Sequence, residues 1–211
     1  TGAPGTGRVA GVAGTESSYL IQTGPALTSF LSPDYPACLV AVEYLTALEG
    51  PFWMRLRGMG LTYSYSLFLN VVEGLGYFFL SKSTNVAKAL KEAVSIIEGF
   101  TKDGKELDPQ ELEGAKSAVI SSLVERCSTV AETAQQSLMQ CLKQVPGDFQ
   151  ATVLARVEAV TIADVTAAMA KYVAPLFGVA HTTAAVTCNP SKVEEVVEQF
   201  IALGGVLRGE V

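Results

Sequence analysis

The sequence predicts an α+β domain in which an antiparallel sheet is covered by helices on one face. Two β-rich runs, residues 61–69 and 75–81, flank a loop of about five residues and predict a β-hairpin. β-rich runs also occupy residues 8–23 and 179–188, and helical periodicity fills most of the rest. The order along the chain is strand, helix, hairpin, several helices, strand and helix, which is typical of this fold class.

Residues that are typical of helix N-termini support the predicted helices. Asp108 is suited to cap a helix whose first turn holds Pro109, and Thr161 is suited to cap another. For the first helix, Ser32 is the predicted cap and Pro33 falls in the first turn. The predicted helices cover residues 32–50, 85–100, 109–126, 129–144, 161–172 and 189–204.

Composition indicates one packed domain. Apolar residues make up 49% of the 211 residues and charged residues 17%, which is typical of a globular chain with a sizeable core. We expect residues 1–8 to form a flexible Gly-rich tail and residues 9–211 to form a single domain. The longest apolar runs, such as residues 75–80, are too short for a membrane span. The first residue is not Met, so we expect the chain to be part of a longer protein.

Net charge and cysteine usage limit the possible partners and the cellular compartment. The net charge is −6, and no element carries a stripe of Lys or Arg, which argues against a nucleic-acid partner. The four cysteines form no Cys-x-x-Cys pair, and three of them resemble buried small hydrophobic residues. This favours a reducing, intracellular compartment, either the cytosol or the mitochondrion, although the spacing alone does not exclude a disulfide.

The chain lacks the residues of a complete catalytic centre. His181 is the only histidine, so the sequence predicts no metal site, and His181 itself is expected to be structural. A single histidine with no Gly-x-Ser-x-Gly motif also argues against a Ser or Cys nucleophile.

The stretch PFWMRLRGMGLTYSYSLFL, residues 51–69, mixes polar and aromatic groups in an apolar run. Because strand side chains alternate, Tyr63 and Tyr65 are expected on one face. An arginine such as Arg57 and a phenol at the mouth of a sheet can donate hydrogen bonds to carbonyl oxygens or to a developing oxyanion. From the residues alone, a structural role is favoured, with the arginine head in water beside a core tyrosine.

The run YPACLVAVEYLTALEGPFWMRLRGMGLTYSYSL resembles the C-terminal half of pitrilysin/insulinase-type zinc metallopeptidases, the inverzincins. The similarity continues through VEGLGYFFLSKS, VTIADVTAAMAKYVAPLF and AAVTCNPSKVEEV, and covers roughly residues 9–205. It looks closest to presequence-protease-like and related large eukaryotic members. The resemblance implies a metallopeptidase domain of the LuxS/pitrilysin-like fold.

In such enzymes two halves close around a peptide. The N-terminal half holds zinc on an H-x-x-E-H helix, and the C-terminal half supplies an arginine and a tyrosine six residues apart. The resemblance therefore implies that Tyr63 is catalytic, that Arg57 binds substrate and that Tyr65 is a weaker substrate contact, while Arg55 fits less well. It also implies a zinc cofactor with ligands outside this chain, the N-terminal catalytic half and a peptide as partners, and no activity for this segment alone.

Two other functions stay open at this point. One is a non-catalytic scaffold subunit of the same fold, of the processing-peptidase or respiratory-complex core type. The other is a stand-alone peptide-binding module that uses the same face without chemistry.

Overall fold

One sheet of six strands organises the computed structural model, which describes residues 6–178 and 182–210. The strand order across the described sheet is β3-β4-β2-β5-β1-β6. β1 runs parallel to both β5 and β6, and the other neighbouring strands are antiparallel. The strands are β1 (Thr6–Gly11), β2 (Ser18–Pro25), β3 (Thr62–Asn70), β4 (Leu75–Ser83), β5 (Thr183–Cys188) and β6 (Val206–Glu210).

Helices pack on one face of this sheet, as predicted. Side chains alternate along β2, where Leu20 and Gln22 are buried and Ile21 between them is exposed. The buried Gln22 is satisfied because its Nε2 donates to the carbonyl of Leu176 at 2.7 Å. Exposed side chains such as Ile21 and Phe68 lie on the opposite face.

The helices follow the predicted order, with two additions. They are α1 (Tyr35–Thr46), α2 (Val86–Thr101), α3 (Pro109–Glu125), α4 (Val130–Leu142), α5 (Phe149–Glu158), α6 (Ile162–Ala168), α7 (Ala174–Phe177) and α8 (Val193–Ala202). Two π-helical turns, Trp53–Arg57 and Met169–Val173, and a 3₁₀ turn, Pro190–Lys192, complete the list for the described residues. The long helix α2 lies across the sheet and buries eight of its residues.

Several helix starts use the caps that the sequence predicts. The Asp108 carboxylate accepts hydrogen bonds from the backbone N–H groups of Gln110 and Glu111. Thr161 and Asp164 form a reciprocal capping box. The first helix begins later than predicted, at Tyr35 after Asp34.

The predicted tail is wrong where the structure describes it. Residues 6–8 belong to β1, which is paired on both sides, and Val9 is completely buried. Gly7 permits this pairing, since a Cβ there would lie 2.3 Å from the carbonyl oxygen of Ala184. The rest of the predicted tail, residues 1–5, lies outside the described residues, and so does His181.

Several other features differ from the sequence-based prediction. The predicted sheet is antiparallel, whereas the observed sheet is mixed because β1 lies between two parallel neighbours. The helices α5 and α7 and the edge strand β6 were not predicted, and the single predicted opening strand, residues 8–23, is divided into β1 and β2. Among the described residues, no helix combines the length and apolar character needed to cross a bilayer.

Candidate functional site

A π-helical turn at Trp53–Arg57 positions the two arginines of the candidate site. Phe52 and Leu56 are fully buried, and they anchor the turn to the core. The backbone N–H of Gly58 donates to the carbonyl of Trp53 at 2.9 Å, and a Cβ at Gly58 would lie 2.3 Å from the carbonyl oxygen of Met54. Glycine therefore allows the turn to close tightly before β3 begins.

The two arginines have different partners. Arg55 forms an ion pair with Glu92 of α2, in which its Nε lies 3.1 Å from the carboxylate. The Arg57 guanidinium instead lies 5.4 Å from the centroid of the Tyr63 ring, within the range of a cation–π contact. Arg55 thus ties the turn to a helix, and Arg57 lies beside the tyrosine that stands six residues after it.

Tyr63 and Tyr65 stand at alternate positions on β3 but have different surroundings. Tyr63 is 63% exposed. Tyr65 is half-buried and packs edge-on against Phe52, with 5.9 Å between ring centroids. Burial raises the pKa of Tyr65, and the positive charge of Arg57 acts in the opposite direction. Tyr63 is the tyrosine available to a ligand.

Arg57, Tyr63 and Tyr65 line one open groove of about 310 Å³ beside the edge strand β3. The other described lining residues are Thr46, Trp53, Ser64, Ser66 and Leu67, so the lining carries hydroxyl groups and no carboxylate. The indole N–H of Trp53 is buried and has no hydrogen-bond acceptor among the described residues. The structure therefore brings all three predicted site residues together.

Lys82 of β4, which was not predicted as a site residue, lies next to this groove beside the Tyr63 ring. Its Nζ lies 5.5 Å from the Tyr63 ring centroid. The register of the β3–β4 hairpin pairs Thr62 with Ser83 and Ser64 with Ser81, so Lys82 lies opposite Tyr63. The predicted hairpin missed this pairing. Its five-residue loop pairs residue 69 with 75 and sets Ser81 opposite Tyr63, whereas the observed Asn70–Leu75 pair shifts the register by one residue.

The described residues offer no metal centre. They contain no group of three or more His, Cys, Asp or Glu side chains placed to hold a metal ion. All four cysteines are free thiols, and burial raises the pKa of Cys38 to about 12. Such a thiol stays protonated at neutral pH, so it is poorly suited to metal binding or nucleophilic chemistry.

Solved structures place this architecture in a known fold. A peptidase M16 inactive domain from Pseudomonas fluorescens superposes with a TM-score of 0.72 and 16% identity, covering 87% of this chain and 43% of that one. A protease from Helicobacter pylori gives a TM-score of 0.72 with 13% identity, covering 87% of this chain and 44% of that one. The chain has the M16 peptidase-domain fold. The predicted pitrilysin-like fold is therefore confirmed.

A solved structure of similar size supports the same fold. The inactive peptidase domain of a protein assigned as a zinc protease from Bordetella parapertussis has a TM-score of 0.69 and 18% identity, covering 83% of this chain and 92% of that one. The two chains therefore share this fold over most of their lengths.

Sequence relatives are much longer than this chain. An uncharacterized protein of Saccharomyces cerevisiae is 32% identical over 199 residues, and one of Schizosaccharomyces pombe is 28% identical over 190 residues. Each match covers 90% of this chain but only 19% and 18% of the respective relative. No protein-family model matches the chain.

Proposed function

We propose that this chain is the substrate-binding domain in the C-terminal half of a zinc metalloendopeptidase similar to the presequence-protease-like enzymes. One observation supports the proposal most strongly: Arg57 and Tyr63 lie side by side at an open groove, with the Tyr63 ring largely exposed. A tyrosine held only for packing would bury its ring, as Tyr44 does in α1.

In this proposal Arg57 and Tyr63 act on the peptide backbone. The Arg57 guanidinium donates hydrogen bonds to a carbonyl oxygen of the bound peptide and so fixes its position. The Tyr63 hydroxyl donates a hydrogen bond to the oxyanion that develops when water attacks the scissile carbonyl. Tyr65 contributes a weaker contact from the deeper part of the groove.

The metal belongs to another part of the proposed enzyme. The described residues do not fit a zinc site, because zinc prefers clustered His, Cys and carboxylate ligands. We propose that zinc ligands and catalytic water lie in an N-terminal half that closes over this groove, and that this segment alone is inactive. The relatives, about five times longer, leave room for such a half. Action inside the cell, in the cytosol or mitochondrion, is part of the same proposal.

Substitution of Tyr63 tests the catalytic assignment in the full-length gene product. Tyr63→Phe is expected to lower kcat for a peptide by about 10²–10³, because one oxyanion donor is lost, while KM and thermal stability change little. Tyr19→Phe, at a tyrosine of β2 outside the groove, is the matched control and should leave kcat unchanged. Equal kcat values for Tyr63→Phe and the unsubstituted enzyme would refute the catalytic role.

A non-catalytic scaffold is the second candidate, favoured by the description of two solved structures of this fold as inactive domains. It predicts no peptide hydrolysis that depends on Tyr63, together with stable co-purification in a larger assembly.

A further inference from the structure

We propose that Lys82 is a further substrate-binding residue of the groove and that, together with Arg57, it binds a carboxylate group of the peptide. This inference rests on the proposed function, because it assigns a ligand chemistry to the same groove. Four features of the described residues support it: a β-bulge, an unusual backbone conformation, two cations without acidic partners, and the absence of carboxylates from the groove.

A β-bulge places Lys82 where it is. Ser18 pairs with Ser83 and Leu20 pairs with Leu80, so two steps along β2 correspond to three steps along β4. The extra residue of β4 therefore lies at Ser81 and Lys82. Bulges of this kind redirect a side chain, and they are common next to active sites.

The backbone of Lys82 is strained at the bulge. Its φ is +51°, in the left-handed region that favours glycine. A non-glycine residue in such a conformation costs on the order of 1–2 kcal/mol. Glycine would relieve this cost, so the presence of a lysine is better explained by the use of its side chain than by stability.

The two cations at Tyr63 have no acidic partner among the described residues. Arg57 and Lys82 lie 5.4 Å and 5.5 Å from the Tyr63 centroid, and neither forms an ion pair within the described ranges. By contrast, Arg55 is paired with Glu92 and Lys171 with Asp34. In a chain of net charge −6, two unneutralised cations beside one groove form a local site for an anion.

A peptide carboxylate fits this arrangement. The Lys82 ammonium supplies a compact positive charge. Arg57 has five N–H donors, so those that it does not use on the backbone carbonyl can donate to the carboxylate. The carboxylate has two sources in a peptide, an acidic side chain or the free C-terminus.

A titration followed by amide NMR tests the inference on this chain itself. Three short peptides are compared: one blocked at both ends with a central Glu, the same peptide with Gln, and the Gln peptide with a free C-terminal carboxylate. We expect at least one carboxylate peptide to bind about threefold more tightly than the blocked Gln peptide, with shifts at Tyr63 and Lys82. The peptide that shows the preference identifies the source of the carboxylate.

Variants assign that preference to Lys82. Lys82→Gln should abolish it, and Lys82→Gly should do the same while keeping the bulge conformation. Lys88→Gln, at an exposed lysine of α2, is the matched control and should retain the preference. Equal affinities for all three peptides, a preference that survives Lys82→Gln, or no shifts near Tyr63 up to about 10 mM peptide would each overturn the inference.

The experiments distinguish failure of the Lys82 inference from failure of the proposed function. Loss of kcat in Tyr63→Phe without any carboxylate preference would leave the peptidase proposal standing and remove the role of Lys82. A carboxylate preference that depends on Lys82, with no effect of Tyr63→Phe on hydrolysis, would leave a peptide-binding groove without the proposed catalytic residue.

Discussion

The aromatic cluster under the sheet and the groove at its edge use neighbouring residues for opposite purposes. The aromatic cluster consists of Phe52, Tyr65, Phe78 and Phe177, whose rings meet edge-on with centroids 4.9–6.1 Å apart. In the groove, Tyr63 exposes its ring beside two unneutralised cations. Tyr65 belongs to both regions, because it packs on Phe52 and also lines the groove.

This difference shows how a strand separates stability from function. Moving two residues along β3, from Tyr65 to Tyr63, takes a tyrosine from contact with the core to a largely exposed position. In the aromatic cluster the rings pack against one another. In the groove, within the described chain, the cations have no acidic partner and the Trp53 indole N–H has no hydrogen-bond acceptor. Substitutions in the cluster should therefore affect stability, and substitutions in the groove should affect binding and rate.

The largest expected effect on stability is in the cluster. Phe78→Ala should lower the free energy of unfolding by about 3–5 kcal/mol, because Phe78 is fully buried and its loss leaves a cavity. Phe68→Ala, on the same hairpin, is the matched control, since Phe68 is 48% exposed and only stacks on Tyr77. It should cost about 1 kcal/mol. Chemical denaturation of both variants measures the contrast, and equal losses would contradict it.

The free energy of unfolding should depend on pH through Tyr44 and Tyr65, whose pKa values are raised by burial. Burial raises the pKa of Tyr65, and it raises the pKa of Tyr44 to about 12. As pH rises past about 10, the unfolded chain loses these protons before the folded chain does, so the free energy of unfolding falls. Below that pH these two groups contribute no slope.

Each buried tyrosine contributes up to about 1.4 kcal/mol per pH unit to this loss. Tyr44→Phe should therefore flatten the decrease between about pH 10 and 12, and Tyr65→Phe should flatten it just above about pH 10, as measured by urea unfolding at a series of pH values. An unchanged slope in both variants would show that neither hydroxyl is buried in the folded state.

The smallest expected effect concerns the backbone of the groove. Lys82→Gly should raise the free energy of unfolding by about 0.5–1 kcal/mol, since glycine adopts positive φ without strain but loses more entropy on folding. Lys82→Ala keeps the strain and should give no gain. A destabilising Lys82→Gly would mean that Lys82 does not hold this conformation, and that the groove carries no more strain than the cluster.

Local signals in the sequence predicted most elements, because caps and periodicity act over a few residues. The Asp108 and Thr161 caps and the β3–β4 hairpin are examples that the structure confirms. The same signals did not reveal what each helix packs against. The sequence predicted both α2 and α4, yet α2 buries eight residues, whereas α4 buries none and Val130 is 89% exposed. Burial depends on neighbours distant in the chain, so local periodicity does not determine it.

For the site, the sequence by itself determined the spacing of Arg57 and Tyr63 and the resemblance that gave the pair a role. Only the tertiary structure decided the rest. It paired Arg55 with Glu92, left Arg57 beside Tyr63 and brought Lys82 opposite that ring. It also placed β1 between β5 and β6, where Gly7 pairs with Ala184 and Leu207. Except for that of Arg57 with Tyr63, these contacts join residues far apart in the chain, and their energies exist only once the chain has folded.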